Sequence, residues 1–125
     1  MGIESVMSSN GASVHDYVVK AAMRSYEIGG NEAVPYWEGS TNGEDKPDLL
    51  IPSLRRVEEV ETEDTIQQVS SERLIGYQTK GLEVWILVPI TKLGEAHQRL
   101  RGAASRVQPW WIHDGRICFG RPESL

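Results

Sequence analysis

The sequence predicts an α/β domain: a mixed β-sheet with helices on its faces. Two observations carry that expectation. Val84-Trp85-Ile86-Leu87-Val88 are consecutive and apolar, as in a strand covered on both sides of an α/β sheet. Around it, apolar residues at helical spacing alternate with short β-type runs in the order α-β-β-β-α-β-α-β(β), which implies a mixed sheet between helices. At 125 residues, 39% hydrophobic and 25% charged, the chain suits one domain with one core.

Residues 1–12, rich in Ser, Gly and Asn, read as a loose tail ahead of a single domain at 13–125. Ser13-Val14-His15-Asp16 has capping-box spacing and opens the first helix. Tyr17, Val18, Ala21, Ala22 and Ser25 form its small apolar face, and Gly29-Gly30 ends it. Ala33 to Trp37 reads as a short strand and 38–46 as a polar loop. Pro47 fixes the entry to a second strand, Asp48 to Ile51; Pro52-Ser53 turns the chain, and Arg55 to Thr62 is a third strand. A second helix starts within Thr62–Thr65, carries Ile66, Val69, Ser70, Leu74 and Tyr77 on one side, and ends near Gly81. Leu82 to Ile90 is the buried strand. Thr91 to Ser105 is a third helix with Leu93, Ala96, Leu100 and Ala103 inward. Trp110 to Phe119 is a hairpin around Asp114-Gly115.

Composition excludes several functions. The lone Cys118 rules out a disulfide framework and a Cys-rich zinc site, and it fits a reducing, cytoplasmic setting. No apolar run approaches the roughly 18 residues of a membrane span, so no membrane partner is expected. Met1 to Gly11 lacks the basic flank and apolar core of a secretory signal. Walker, Rossmann and GxSxG patterns are missing, and His15, His97 and His113 form no close ligand pair. Each histidine reads as a surface or helix-face residue. With a net charge of −5, the chain is no generic coat for nucleic acid. The charge is uneven: 1–64 carry a net −8 and 65–125 a net +3. Such a division suits a cation site beside an anion-binding surface, or simply a solvated exterior.

The chemistry concentrates in Pro47-Asp48 and, eleven residues after the aspartate, Glu59-Val60-Glu61. Alternation puts Glu59 and Glu61 on one strand face. If the strand of Asp48 is a neighbour, three carboxylates converge at one sheet end. Such carboxylates repel one another unless a cation lies between them, and hard oxygen donors suit Mg²⁺ or Mn²⁺. The run Glu58 to Asp64 also reads as a solvated edge strand. Glu58, pointing away from the Glu59 face, reads as a solvent residue.

Asp48 followed by Glu59-Val60-Glu61, on this element order, resembles the PD-(D/E)xK nucleases of the restriction-endonuclease-like fold. The resemblance covers roughly residues 13–90, with the last helix and hairpin as additions. It implies an α-β-β-β-α-β core and Mg²⁺- or Mn²⁺-dependent hydrolysis of DNA phosphodiesters. Asp48 and Glu59 would bind the metal, with the Val60 carbonyl as a third ligand. Glu61 stands where the family has its lysine. Some type II restriction enzymes carry a glutamate there, acting as a base toward water; alternatively Lys80 or Lys20 supplies the amine. Asp16 matches a further acid on the family's first helix by position, and reads first as the capping acid of that helix. Gln67, Gln68 and Tyr77 are loosely similar to a Gln and Tyr of exonuclease-like branches. Arg99, Arg101 and Arg106, followed by Trp110-Trp111, form a candidate surface for phosphates and bases, or an oligomer interface. The resemblance also suggests a homodimer. The alternative to an endonuclease is a catalytically inactive nuclease-like module that binds nucleic acid or protein.

Overall fold

The computed structural model describes residues 13–36 and 46–125. The expected tail, Trp37 and most of the 38–46 loop lie outside the described residues. The observed order is α1 (Val14–Ile28), β1 (Val34–Pro35), β2 (Leu49–Ile51), β3 (Arg56–Val60), α2 (Ser71–Thr79), β4 (Glu83–Pro89), α3 (Leu93–Leu100), β5 (Arg106–His113), β6 (Arg116–Phe119) and β7 (Glu123–Ser124). The strands form one mixed sheet in the order β1-β2-β3-β4-β5-β6, with β7 also on β5. The β1–β2, β2–β3, β5–β6 and β5–β7 pairs are antiparallel. β3–β4 and β4–β5 are parallel, and α2 and α3 make the two crossovers that parallel pairing requires.

Two apolar clusters divide the sheet by face. Val18, Val19 and Ala22 of α1 pack against Leu49, Ile51, Val60, Leu87 and Trp110. Leu74 and Tyr77 of α2, with Ala96 and Leu100 of α3, pack against Val57, Val84, Ile86, Val88 and Val107. β4 supplies both clusters, which is why its run is almost wholly apolar. None of the described helices is long and apolar enough to cross a membrane.

Local chemistry sets the boundaries. Ser13 Oγ accepts the Asp16 N–H at 3.1 Å and starts α1 as expected. The second helix, however, begins at Ser71 rather than in Thr62–Thr65. Thr65 Oγ1 takes the Thr62 N–H at 2.8 Å, closing a local turn that leads into a 3-10 turn at Ile66–Gln68. Val69 is then extended, and Ser70 caps α2 through the Arg73 N–H. The third helix is also shorter than expected. Arg101 is extended, and Gly102 turns the chain at φ 85°. β5 starts at Arg106, four residues before the expected hairpin. Asp114 and Gly115 both have positive φ, 49° and 76°, as the two-residue hairpin turn demands.

Candidate functional site

Hairpin register brings the acids together. Leu49 pairs with Glu58, and Leu50 with Val57. One step further along this antiparallel ladder, Asp48 stands opposite Glu59, and opposed residues share a face. The register is set by the tight connection Pro52–Leu54, closed by Arg55 in the left-handed region at φ 49°. Asp48 Oδ2 accepts the Val60 N–H at 2.7 Å, so the aspartate is anchored to the end of β3.

The two acids face one another across the hairpin. Glu59 is only 7% exposed and lies close enough to Asp48 to feel its charge. Burial, then the Asp48 charge, push the Glu59 pKa up to about 8; Arg73 opposes the rise and Glu61 adds to it. Tyr77 Oη donates to Glu59 Oε1 at 3.2 Å. Arg73 Nη2 lies 3.5 Å from the same oxygen, and Arg73 Nε donates to Tyr77 Oη at 3.0 Å. Glu61 is raised to about 7, chiefly by burial and also by Asp48; a Thr65 hydrogen bond, His15 and Arg73 pull the other way.

His15 lies between two acids. Its Nδ1 is 3.0 Å from Asp16 Oδ1 and its Nε2 is 3.0 Å from Asp48 Oδ1. An imidazole donates from both nitrogens only as the imidazolium. Asp16, Asp48, Glu59 and Glu61 thus meet two basic side chains, His15 and Arg73. Among the described residues, no group of three or more His, Cys, Asp or Glu side chains is set to hold a metal ion as it stands. The chemistry of the donor set fits a hard cation: four carboxyls meet two basic groups, two of the carboxyls are raised toward neutrality by burial and by Asp48, and a cation among them would relieve that crowding.

Of the residues the sequence singles out, Asp48, Glu59, Glu61, Val60 and Asp16 come together at this end of the sheet. His15, read as a surface or helix-face histidine, and Arg73, not singled out, join them. Gln68 does line the same cleft of about 230 Å³ as Glu59, Glu61 and Arg73. Lys20 and Lys80 are exposed, and Lys80 caps the far end of α2; among the described residues the basic groups brought to the carboxyls are His15 and Arg73. A larger cavity of about 710 Å³, lined by His15, Thr65, Ile90, Trp110 and Trp111, adjoins the cleft through Thr65.

The expected basic and aromatic patch is only partly on the surface. Trp110 is 6% exposed and packs beneath α1, its indole N–H donating to the Glu61 carbonyl at 3.2 Å. Alternation turns Trp111 to the opposite face, where it is half-buried. Arg99 donates to the Gln67 carbonyl at 2.7 Å, Arg106 donates to Ser124 Oγ at 3.3 Å, and Arg101 is exposed.

Glu58 is not a solvent residue. At 1% exposed it is buried under α1, because the neighbour strands β2 and β4 enclose β3 and α1 covers that face. Comparison with protein-family models, curated proteins and solved structures finds no match for this chain.

Proposed function

We propose that this protein is a metal-dependent nuclease acting on DNA, with a restriction-endonuclease-like α-β-β-β-α-β core. The observation that carries the reading is the juxtaposition of Asp48 and Glu59 by hairpin register at the end of β3, where Asp48 Oδ2 accepts the Val60 N–H at 2.7 Å. The meander β1-β2-β3 followed by a helix and a parallel strand supports the same reading.

In this reading Asp48 and Glu59, with the Val60 carbonyl, hold Mg²⁺ or Mn²⁺. The bound ion supplies Lewis-acid polarisation of a phosphate and acidifies water. Glu61, raised to about 7, has a basicity suited to taking a proton from water near neutral pH. Arg73 offers a guanidinium to phosphate oxygens at the cleft, a role for which its planar fork is suited. Arg99, Arg101 and Arg106 supply phosphate contacts further along the strand.

The test has two stages. Millimolar Mg²⁺ or Mn²⁺ raises the melting temperature of the wild type and not of Asp48→Ala, because a ligand that binds only the folded state stabilises it. Cleavage of plasmid or single-stranded DNA is then lost in Glu59→Ala. Absence of any metal response would overturn the reading. A second reading, an inactive binding module, is favoured by Glu61 in the lysine position and by the direct engagement of the acids by His15 and Arg73; a metal response without cleavage selects it.

A further inference from the structure

The two edges of the sheet differ. β1 is two residues long and includes Pro35, which has no N–H, so that edge offers little to a further strand. β6, Arg116-Ile117-Cys118-Phe119, has no proline and one charge, at its turn end. Among the described residues it pairs with β5 alone. The register fixes which of its backbone groups are left over. The Gly120 N–H donates to the Pro109 carbonyl at 2.9 Å, and bonded pairs recur at every second residue of an antiparallel ladder. Trp111 with Cys118, and His113 with Arg116, are therefore the bonded pairs. Ile117 and Phe119 turn their N–H and C=O groups away from β5, toward the open edge. Their side chains pack against the cluster beneath α1, whereas Cys118, opposite Trp111, lies on the other face.

We propose that the β6 edge joins two copies of this chain, the second adding its own β6 antiparallel about a two-fold axis at Cys118. In that register Ile117 exchanges both backbone bonds with Phe119 of the second copy, and Phe119 with its Ile117. The left-over groups of the strand are then paired. A β-branched residue directly opposite an aromatic one is a favourable cross-strand pair, and here it carries the apolar cluster beneath α1 across the joint. Arg116 stands opposite Gly120 of the second copy, so the guanidinium groups do not oppose one another. The strand is thus complementary to itself, which singles out a second copy as its occupant. Self-pairing of one edge closes as a dimer, and Pro35 keeps the other edge from extending it into a fibre. The joint is short, so the dimer forms in the micromolar range and is not obligate. None of the acids takes part, so the inference is independent of the nuclease reading.

Sedimentation equilibrium of the full chain, in chelator and reductant, tests it. The mass rises from one copy to two across the micromolar range. Ile117→Pro keeps the bonds to β5 but removes an N–H from each copy at the joint, and weakens association by about tenfold or more. Cys118→Lys does the same by setting two ammonium groups face to face at the axis. Circular dichroism checks the fold of each variant, and Cys118→Lys decides alone should Ile117→Pro fail to fold. Cys118, the only cysteine, also reports the register. Opposed across the axis, the two Cα atoms stand about 4.5 Å apart, within reach of a disulfide. Copper phenanthroline therefore links the wild-type dimer through Cys118, and links Ile117→Pro about tenfold more slowly. A chain that stays monomeric, a dimer that neither variant weakens, or a dimer that does not cross-link overturns the proposal; the last two outcomes place the contact on another surface.

Discussion

Glu58 and Glu59 are neighbours in the chain, yet they serve opposite faces of the sheet. One residue of strand alternation sends Glu58 to Tyr26 under α1 and Glu59 to Tyr77 under α2. The alternation and the eleven-residue spacing made Asp48, Glu59 and Glu61 legible. His15 was not legible, because a lone histidine in a first helical turn normally faces water. The signal was faint but present: Ser13 fixes the helix start, so His15 sits in the turn nearest the sheet end. Arg73 stands four residues before the inward Tyr77, and that spacing places both on one helix face. His15 now has a testable role as counter-charge to Asp16 and Asp48. His15→Ala lowers the melting temperature in chelator, since Asp48 loses a partner at 3.0 Å. It also enlarges the temperature rise on adding Mg²⁺, because the acids then lack one cation. An unchanged metal response would remove His15 from the charge balance.

At the scale of elements, boundaries follow single side chains more than periodicity. The apolar spacing of Ile66, Val69 and Leu74 runs straight across the break at Val69, so it misplaced the start of α2. Ser70 decides the start instead, accepting the Arg73 N–H at 3.3 Å. Ser70→Ala therefore costs about 1 kcal/mol in denaturant unfolding. It also loosens Arg73 beside Glu59. β4 and the Asp114-Gly115 hairpin were legible because both signals are local. β7 was not, because two residues carry no period. It is defined by tertiary partners: Val107 pairs with Glu123, and His97 Nε2 lies 2.8 Å from Glu123 Oε1. Close packing of the β5–β6 pair gives a second expectation. A Cβ on Gly120 would lie 2.8 Å from Pro109 Cγ. Gly120→Ala forces the proline ring and β5 to shift, at a cost of about 1–3 kcal/mol; an unchanged unfolding midpoint would show that the pair yields freely.

For the whole molecule, the buried acids set how stability depends on pH. Glu58, Glu59 and Glu61 are raised from 4.5 to about 7, 8 and 7, each chiefly by burial. The unfolded chain releases these protons near the ordinary carboxylate value, while the folded chain holds them until near neutrality. Between about pH 4.5 and 8 the folded state therefore binds more protons than the unfolded state, and stability falls as pH rises. A tenfold difference in proton affinity between the two states corresponds to about 1.4 kcal/mol, so the combined fall is on the order of several kcal/mol. The net charge of −5 adds self-repulsion of the same sign. The melting temperature in chelator is thus higher near pH 5.5 than near pH 8.5. Glu59→Gln removes the largest of the three contributions and flattens the slope by up to one proton. Millimolar Mg²⁺ flattens it only in part, because it compensates Glu59 and Glu61 while Glu58 stays sealed behind β3. A melting temperature that is level or rises across this range would mean that the three acids do not share the buried surroundings that raise them.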